Sequence, residues 1–146
     1  KYYKALINAN MDRDTDITVI MSDLNCLKEI NDTFGHNAGD IAISAAAKAL
    51  KNSVPEDAVC IRYGGDEMLA VIAGCVDPER IITDIDKYLD EYNADSGLKF
   101  LVSTSCGAFT EKLDGAYDFL YAIKQADKRM YENKKLKKLY RNDVFH

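Results

Sequence analysis

The tetrad Gly64-Gly65-Asp66-Glu67 constrains this chain more than any other stretch, because two glycines interrupt one apolar run and two acids open the next. Residues 58–63 and 66–73 on either side read as strands, and a Gly-Gly dipeptide permits the positive φ angles of a tight hairpin. From Met68 to Ala73 the second run is apolar at successive positions, the pattern of a central strand covered on both faces. An ordinary hairpin has no need of adjacent carboxylates at the mouth of a buried strand. They repel each other unless a cation offsets the charge. Two readings stand at this point, an exposed acidic turn or a seat for a cation.

Elements of the α/β type surround this hairpin. Residues 1–13 carry Tyr2, Tyr3, Leu6, Ile7 and Met11 on one helical face, and the β-branched run Ile17 to Met21 is a strand that Asp23 and Asn25 bring to an end. A short helix is expected around Leu27 to Ile30, then a turn at Phe34-Gly35-His36-Asn37 and a long Ala-rich helix from about Ala38 to Leu50. Pro78 marks a helix start followed by Ile81, Ile82, Ile85, Tyr88 and Leu89 at helical spacing. A further strand is expected from about Lys99 to Phe109. The last helix is expected from about Ala116, with Phe119, Ile123, Ala126 and Met130 on one stripe. Helices interleaved with strands, one antiparallel hairpin and covered strands predict an α/β (α+β sandwich) fold. Its central sheet is expected to be mixed, mainly antiparallel and of about five strands flanked by helices.

With 146 residues, 47% of them hydrophobic, the chain has material for one core and little for a second, so residues 1–146 read as one domain. A net charge of −5 offers no basic field for gripping a nucleic-acid backbone, so any phosphate chemistry must rest on a few local cations. The four cysteines Cys26, Cys60, Cys75 and Cys106 form no C-x-x-C pair, which argues against a disulfide framework and for a reducing cytoplasm. No apolar run has the length of a membrane span, so no membrane contact by this domain is expected. The chain opens without Met and already in a helical pattern, and we expect it to be a piece of a longer protein.

Three groups of residues carry candidate chemistry. Asp23 ends the first strand and Lys28 lies near the first turn of the next helix, which places a carboxylate, free helix N–H groups and an ammonium around one spot. This is either a seat for a metal and a triphosphate, or a strand terminator followed by a helix cap. Asp66 and Glu67 form the second group. Lys134 and Lys138, one turn apart near the end of the last helix and so about 6 Å apart along its axis, form the third, either as phosphate ligands or as solvated cations that favour the helix dipole. Neither G-x-x-x-x-G-K-[ST] nor G-x-G-x-x-G occurs, so the two common nucleotide-binding motifs are unsupported. With His36 and His146 the only histidines, a histidine-rich metal centre is excluded and an oxygen-ligated Mg²⁺ is the natural alternative.

Read together and in order, Asp23-Leu24-Asn25-Cys26-Leu27-Lys28-Glu29-Ile30-Asn31-Asp32, Thr33-Phe34-Gly35-His36, Gly39-Asp40 and Arg62-Tyr63-Gly64-Gly65-Asp66-Glu67-Met68 resemble the successive signatures of GGDEF-domain diguanylate cyclases. Ser105-Cys106-Gly107 and Ala126-Asp127, with Tyr131 and Lys134 beyond, are similar to the C-terminal ones, so the resemblance spans about residues 17 to 134. It implies a nucleotidyl-cyclase, palm-like fold that condenses two GTP molecules into cyclic di-GMP and pyrophosphate, with Mg²⁺ (or Mn²⁺) as cofactor. Asp23 and Asp66, with the Leu24 carbonyl, match the metal ligands, and Glu67 the second acid of the signature. Lys28, Lys134 and Lys138, with backbone N–H groups near Cys26 and Leu27, match the phosphate contacts. Asn31 and Asp40 match the pair that hydrogen-bonds guanine, and a carboxylate facing guanine N1–H argues for GTP over ATP. Since one domain holds one GTP, the resemblance implies a homodimer of facing domains, commanded by a sensory or regulatory domain elsewhere in a signalling protein. The usual N-terminal D-x-L-T segment would lie before residue 1, so the N-terminal edge of the domain is expected to be missing.

Departures from the pattern are equally specific. Met68 stands where Phe is usual, Asn25 replaces a frequent Asp, and Lys138 replaces an arginine, keeping charge without the bidentate fork. The R-x-x-D of the family's inhibitory product site is absent, its positions held by Pro55 and Ala58, so no inhibitory site is expected. A catalytically silent GTP-binding or dimerisation module is the alternative these departures support, and a cyclase making a mixed dinucleotide is disfavoured by Asp40.

Overall fold

A computed structural model of the chain describes residues 2–11 and 14–140, and the core begins with the strand that the sequence marks most clearly. Strand β1 (Asp16–Leu24) is buried at every position after Asp16. Its even-numbered apolar residues Ile20 and Leu24 face one layer of helices, and its odd-numbered Ile17, Val19 and Met21 face another, following the two-residue period of a strand. Strands β2 (Val59–Arg62), β3 (Glu67–Ala73) and β4 (Thr104–Lys112) complete the sheet in the order β2-β3-β1-β4. Helices α2 (Leu27–Phe34), α3 (His36–Ser53) and α4 (Pro78–Asp95) contribute to the first layer, whereas α1 (Tyr2–Asn10) and α5 (Phe119–Tyr140) contribute to the second. Lys1, residues 12–13 of the first expected helix and His146 lie outside the described residues, as do the side chains of Tyr2 and Tyr3.

This is the expected α+β sandwich, with two differences of detail. The sheet has four strands among the described residues rather than about five, and every pairing in it is antiparallel rather than mixed. The strand expected from Lys99 starts only at Thr104, because α4 occupies the backbone of the preceding segment. Asn93 donates to Val102 O and accepts from Val102 N, each at 2.9 Å, which diverts that residue from a ladder. Similarly, α5 starts at Phe119 rather than near Ala116, since Asp114 closes a turn by accepting from Ala116 N at 2.8 Å.

The hairpin between β2 and β3 is also built differently from the tight turn its glycines permit. Neither Gly64 nor Gly65 takes a positive φ. Instead, residues 63–66 form a wider loop, closed by Tyr63 N and Gly64 N donating to Glu67 O. Arg62 donates to Gly64 O and Gly65 O at 3.3 and 2.8 Å, holding the loop from inside. Gly35, by contrast, does use the conformational freedom of glycine: at φ 93° it is the single residue between the end of α2 and the start of α3.

Helix α5 lies against the outer edge of β4 at unusually close range. A Cβ on Gly107 would stand 2.2 Å from Met130 N and 2.3 Å from Ala126 O. At four-residue spacing along the same helix, Arg129 donates to Ala108 O at 2.6 Å, Asn133 accepts from Cys106 N at 3.0 Å, and Lys137 donates to Thr104 O. Side chains of α5 thus satisfy the edge groups that a further strand would otherwise take. Gly107→Ala is expected to destabilise the domain by at least about 2 kcal/mol, because the added methyl meets backbone rather than a side chain that can swing away. A urea-unfolding midpoint equal to that of the wild type would contradict this close packing.

Candidate active site

The sheet brings two acidic elements to one end. Asp23 sits opposite Glu67 of β3 and opposite Ser105 of β4 in the strand registers, and Leu24 N donates to Asp66 O at 2.9 Å. Residues directly opposite each other share a sheet face, so Asp23 and Glu67 both face α5. Asp23 is only 7% exposed. Lys134 Nζ donates to its Oδ2 at 2.5 Å, while its Oδ1 is buried without a hydrogen-bond partner. Burial pushes the Asp23 carboxyl above the usual carboxylate range; the Lys134 ammonium works against this, and the neighbouring Asp66 reinforces it. Burial likewise raises Glu67, aided by the charges of Asp23, Asp127 and Asp66. Among the described residues no three His, Cys, Asp or Glu side chains gather as a ready metal cage. The orphaned Asp23 oxygen beside Asp66 is nevertheless a buried demand for a cation, and two carboxylates with a carbonyl suit a hard ion.

Next to these acids, at the corner between β1 and α2, lies a cleft of about 340 Å³ lined by Asn25, Cys26, Leu27, Lys28, Glu29, Lys134, Lys137 and Lys138. Four lysines thus converge in a chain of net charge −5. Helix α2 begins at this cleft with no side-chain cap, and its N-cap carbonyl, Cys26 O, accepts from Ile30 N at 3.0 Å. The N–H groups of its first turn therefore have no acceptor within the helix. Of the two readings open for Asp23 and Asn25, capping is excluded. Asn25 instead donates from Nδ2 to Ser103 Oγ and accepts from Ser105 Oγ.

Asn31 and Asp40 stand further along. The Asn31 Oδ1 occupies the space over bare Gly39, 1.8 Å from where a Cβ would be, and it too is buried without a partner. Leu27 Cδ1 reaches the same spot at 3.2 Å, which joins this point to the lysine cleft. Asp40 is exposed and opens onto a separate hollow of about 360 Å³ with Ile41, Ser44, Ala45, Lys48 and Tyr92. The structure therefore gathers Asp23, Asp66, Glu67 and Lys134 at one point, and Cys26, Leu27, Lys28, Lys134 and Lys138 at another, with Lys134 shared. Asn31 lies at the rim, and Asp40 does not line the cleft.

Lys137 and Glu29 line the cleft without having been singled out, and Asn25, read from the sequence as a strand end and a departure from the signature, lines it as well. Lys134, Lys135, Lys137 and Lys138 fall within five residues, and only the pose of α5 separates those that face the cleft from exposed Lys135. Lys137 is further committed to Asp86, which it reaches at 2.8 Å.

Because Lys134 is the cation that partners buried Asp23, Lys134→Gln should cost about 1–2 kcal/mol at neutral pH, discounted for a lysine side chain that is 35% exposed. Losing the ammonium raises the folded-state pKa of Asp23 further, and stability falls with rising pH wherever the folded state holds more protons than the unfolded one. The deficit should therefore be largest above that raised pKa and shrink as acid protonates Asp23. Denaturant titrations across the acidic range measure it, and a pH-independent deficit would contradict the pairing.

Residues 1–139 match the family model described as diguanylate cyclase, GGDEF domain. Diguanylate cyclase A of Treponema denticola is 30% identical over 136 aligned residues, covering 88% of this chain and 35% of that protein. The probable diguanylate cyclase DgcJ of Escherichia coli is 34% identical over 129 aligned residues, covering 84% of this chain and 24% of its own length. This chain thus spans about a third or less of the curated relatives it matches. Among solved structures, the GGDEF domain of PA1120 from Pseudomonas aeruginosa superposes with a TM-score of 0.72 at 28% identity, over 91% of this chain and 84% of that one. The GGDEF domain of DgcB from Caulobacter crescentus, solved with c-di-GMP, shares the fold with a TM-score of 0.74 at 21% identity, over 92% of this chain and 82% of that one. By sequence and by fold, this chain belongs to the diguanylate cyclase GGDEF-domain family.

Proposed function

We propose that this domain is an active diguanylate cyclase, which joins two GTP molecules into cyclic di-GMP with release of two pyrophosphates. The observation that carries this reading is the lysine-lined cleft at the uncapped start of α2, joined through Lys134 to the buried Asp23 carboxylate. A cleft of this kind takes a polyphosphate, and the adjoining acids take the hard cation that accompanies it. The names of the curated relatives favour an enzyme over a silent binding module.

In this reading the triphosphate lies against Lys28, Lys134 and Lys138 and the N–H groups of Cys26 and Leu27, which offset its charge. Asn31 and Asp40 recognise guanine from α2 and α3, with the free Asn31 Oδ1 as one acceptor. The Asp23 and Asp66 carboxylates and the Leu24 carbonyl would hold Mg²⁺ (or Mn²⁺), with Glu67 completing the acidic group. Bound there, the ion supplies charge neutralisation at the α-phosphate and favours ionisation of the attacking 3′-hydroxyl. Lys134 must then exchange its bond to Asp23 for one to phosphate, so the same ammonium serves both states. In-line attack joins the 3′-oxygen of one GTP to the α-phosphorus of the other, and the bond to the pyrophosphate oxygen breaks.

Since each domain holds one nucleotide, two domains must face each other, as a homodimer governed by a sensory or regulatory domain of a longer, cytoplasmically facing protein. Pro55 and Ala58 replace the charged pair of the product site, so the domain escapes feedback at that surface. No described helix is long and apolar enough to cross a membrane.

The test is incubation of the dimerised domain with GTP and Mg²⁺, followed by identification of the product by mass. Asp66→Asn is expected to lower turnover at least about 100-fold with the fold intact, because a neutral amide holds a hard cation far less well than a carboxylate. Undiminished turnover in that variant would remove Asp66 from the metal site. Asp40→Ala should narrow the ratio of kcat/KM for GTP over ATP at least about tenfold, the equivalent of one good hydrogen bond. If both ratios are equal at fixed Mg²⁺, guanine is recognised elsewhere.

A further inference from the structure

Buried Asn25 is an element of the cleft that no part of the proposed chemistry uses. It is 4% exposed, yet it lies between the metal-ligand position Asp23 and the phosphate-contact position Cys26. Three hydrogen bonds tie it to the start of β4: its backbone N–H donates to Ser103 O at 2.8 Å, its Nδ2 donates to Ser103 Oγ at 3.1 Å, and its Oδ1 accepts from Ser105 Oγ at 2.9 Å. Ser105 is fully buried and sits opposite Asp23 in the β1–β4 register.

The residue that follows is in the left-handed conformation, with Cys26 at φ 62° and ψ 31°. A side chain with a Cβ disfavours that region, and such a residue persists where its surroundings over-determine it. The Cys26 side chain makes no capping hydrogen bond of its own that would favour this conformation. A left-handed residue leading into a right-handed helix turns successive N–H groups toward one concavity, which is a backbone nest for an anion.

We propose that Asn25 is a positioning residue for the triphosphate: clamped between Ser103 and Ser105, it holds Cys26 left-handed and so presents the backbone N–H groups of the β1–α2 corner to the phosphates. The inference rests on the cyclase reading for the identity of the nucleotide, but the clamp has a consequence independent of turnover. Its loss should weaken polyphosphate binding and leave the chemical step largely untouched. The Asn25 amide is engaged by Ser103 and Ser105 rather than offered to the reacting atoms, so KM and kcat should separate.

The experiment pairs two measurements on the wild type, Asn25→Ala and Ser105→Ala. One is calorimetric binding of inorganic tripolyphosphate at fixed Mg²⁺. The other is steady-state conversion of GTP by the dimerised domain. Asn25→Ala is expected to raise both the Kd for tripolyphosphate and the KM for GTP about tenfold or more, with kcat within about threefold of wild type. Ser105→Ala, which removes only one bond of the clamp, should shift both in the same direction by less, and it decides the matter if Asn25→Ala does not fold. Unchanged tripolyphosphate affinity in a folded variant overturns the proposal, as does a fall in kcat with KM unchanged. A wild type that binds tripolyphosphate but makes no cyclic di-GMP would sink the cyclase reading, and the binding measurements would still decide the clamp.

Discussion

The close approach of α5 to β4 at Gly107 is the constraint on which the rest of the site depends. Only a residue without a side chain lets the backbone of Ala126 to Met130 come so near the strand. Once there, the helix is locked lengthwise by Arg129, Asn133 and Lys137, which reach successive outward-facing groups of β4 at the spacing of one helical turn. A helix docked by such a ladder cannot slide without losing all three contacts. Its remaining lysines are thereby delivered to fixed places, Lys134 at the Asp23 carboxylate and Lys138 at the wall of the cleft.

The second consequence concerns charge. Asp23 and Glu67 oppose each other across two strands, Asp66 adjoins them, and burial makes each added negative charge costlier. In the protein alone this is relieved by one ammonium and by an upward shift of carboxyl pKa values. Lys134 satisfies only one of the two Asp23 oxygens, so the charge is offset in part, and this is the observation on which the proposed cation seat rests. The unpartnered Asn31 oxygen over Gly39 has the same character, a buried acceptor waiting for a donor.

The corner between β1 and α2 couples these two regions. Asn25 holds it from below through Ser103 just before β4 and Ser105 within it, and the uncapped start of α2 faces the lysines above. Strand β4 therefore supports both sides of the cleft, carrying α5 on its edge and Asn25 at its start. The late start of that strand has a purpose in this light: the segment before Thr104 is free of the ladder, so Ser103 O can accept from Asn25 N.

Local pattern was enough to read the succession of helices and strands, the doubly buried character of β3 and the start of α4 at Pro78, because apolar side chains recur at 2.0 or 3.6 residues in half-covered elements, an unbroken apolar run marks a strand covered on both faces, and proline favours a first helical turn. The ordered signatures around Asp23, Asp40 and Asp66 were enough to read the family, which the match over residues 1–139 bears out. Strand limits were not readable in the same way: Asn93 decides where β4 begins, and it lies nine residues before Val102 on another element. The form of the Gly64-Gly65 loop was decided by Arg62 reaching back to its carbonyls, not by the freedom of glycine. Which lysines of the last helix face the cleft, and that Asn25 is a clamp rather than a cap, depend on contacts between residues up to 111 positions apart. Pattern along the chain records what a residue can do; only packing decides which distant partner it meets, because burial energy is summed over surfaces that adjacent residues do not share.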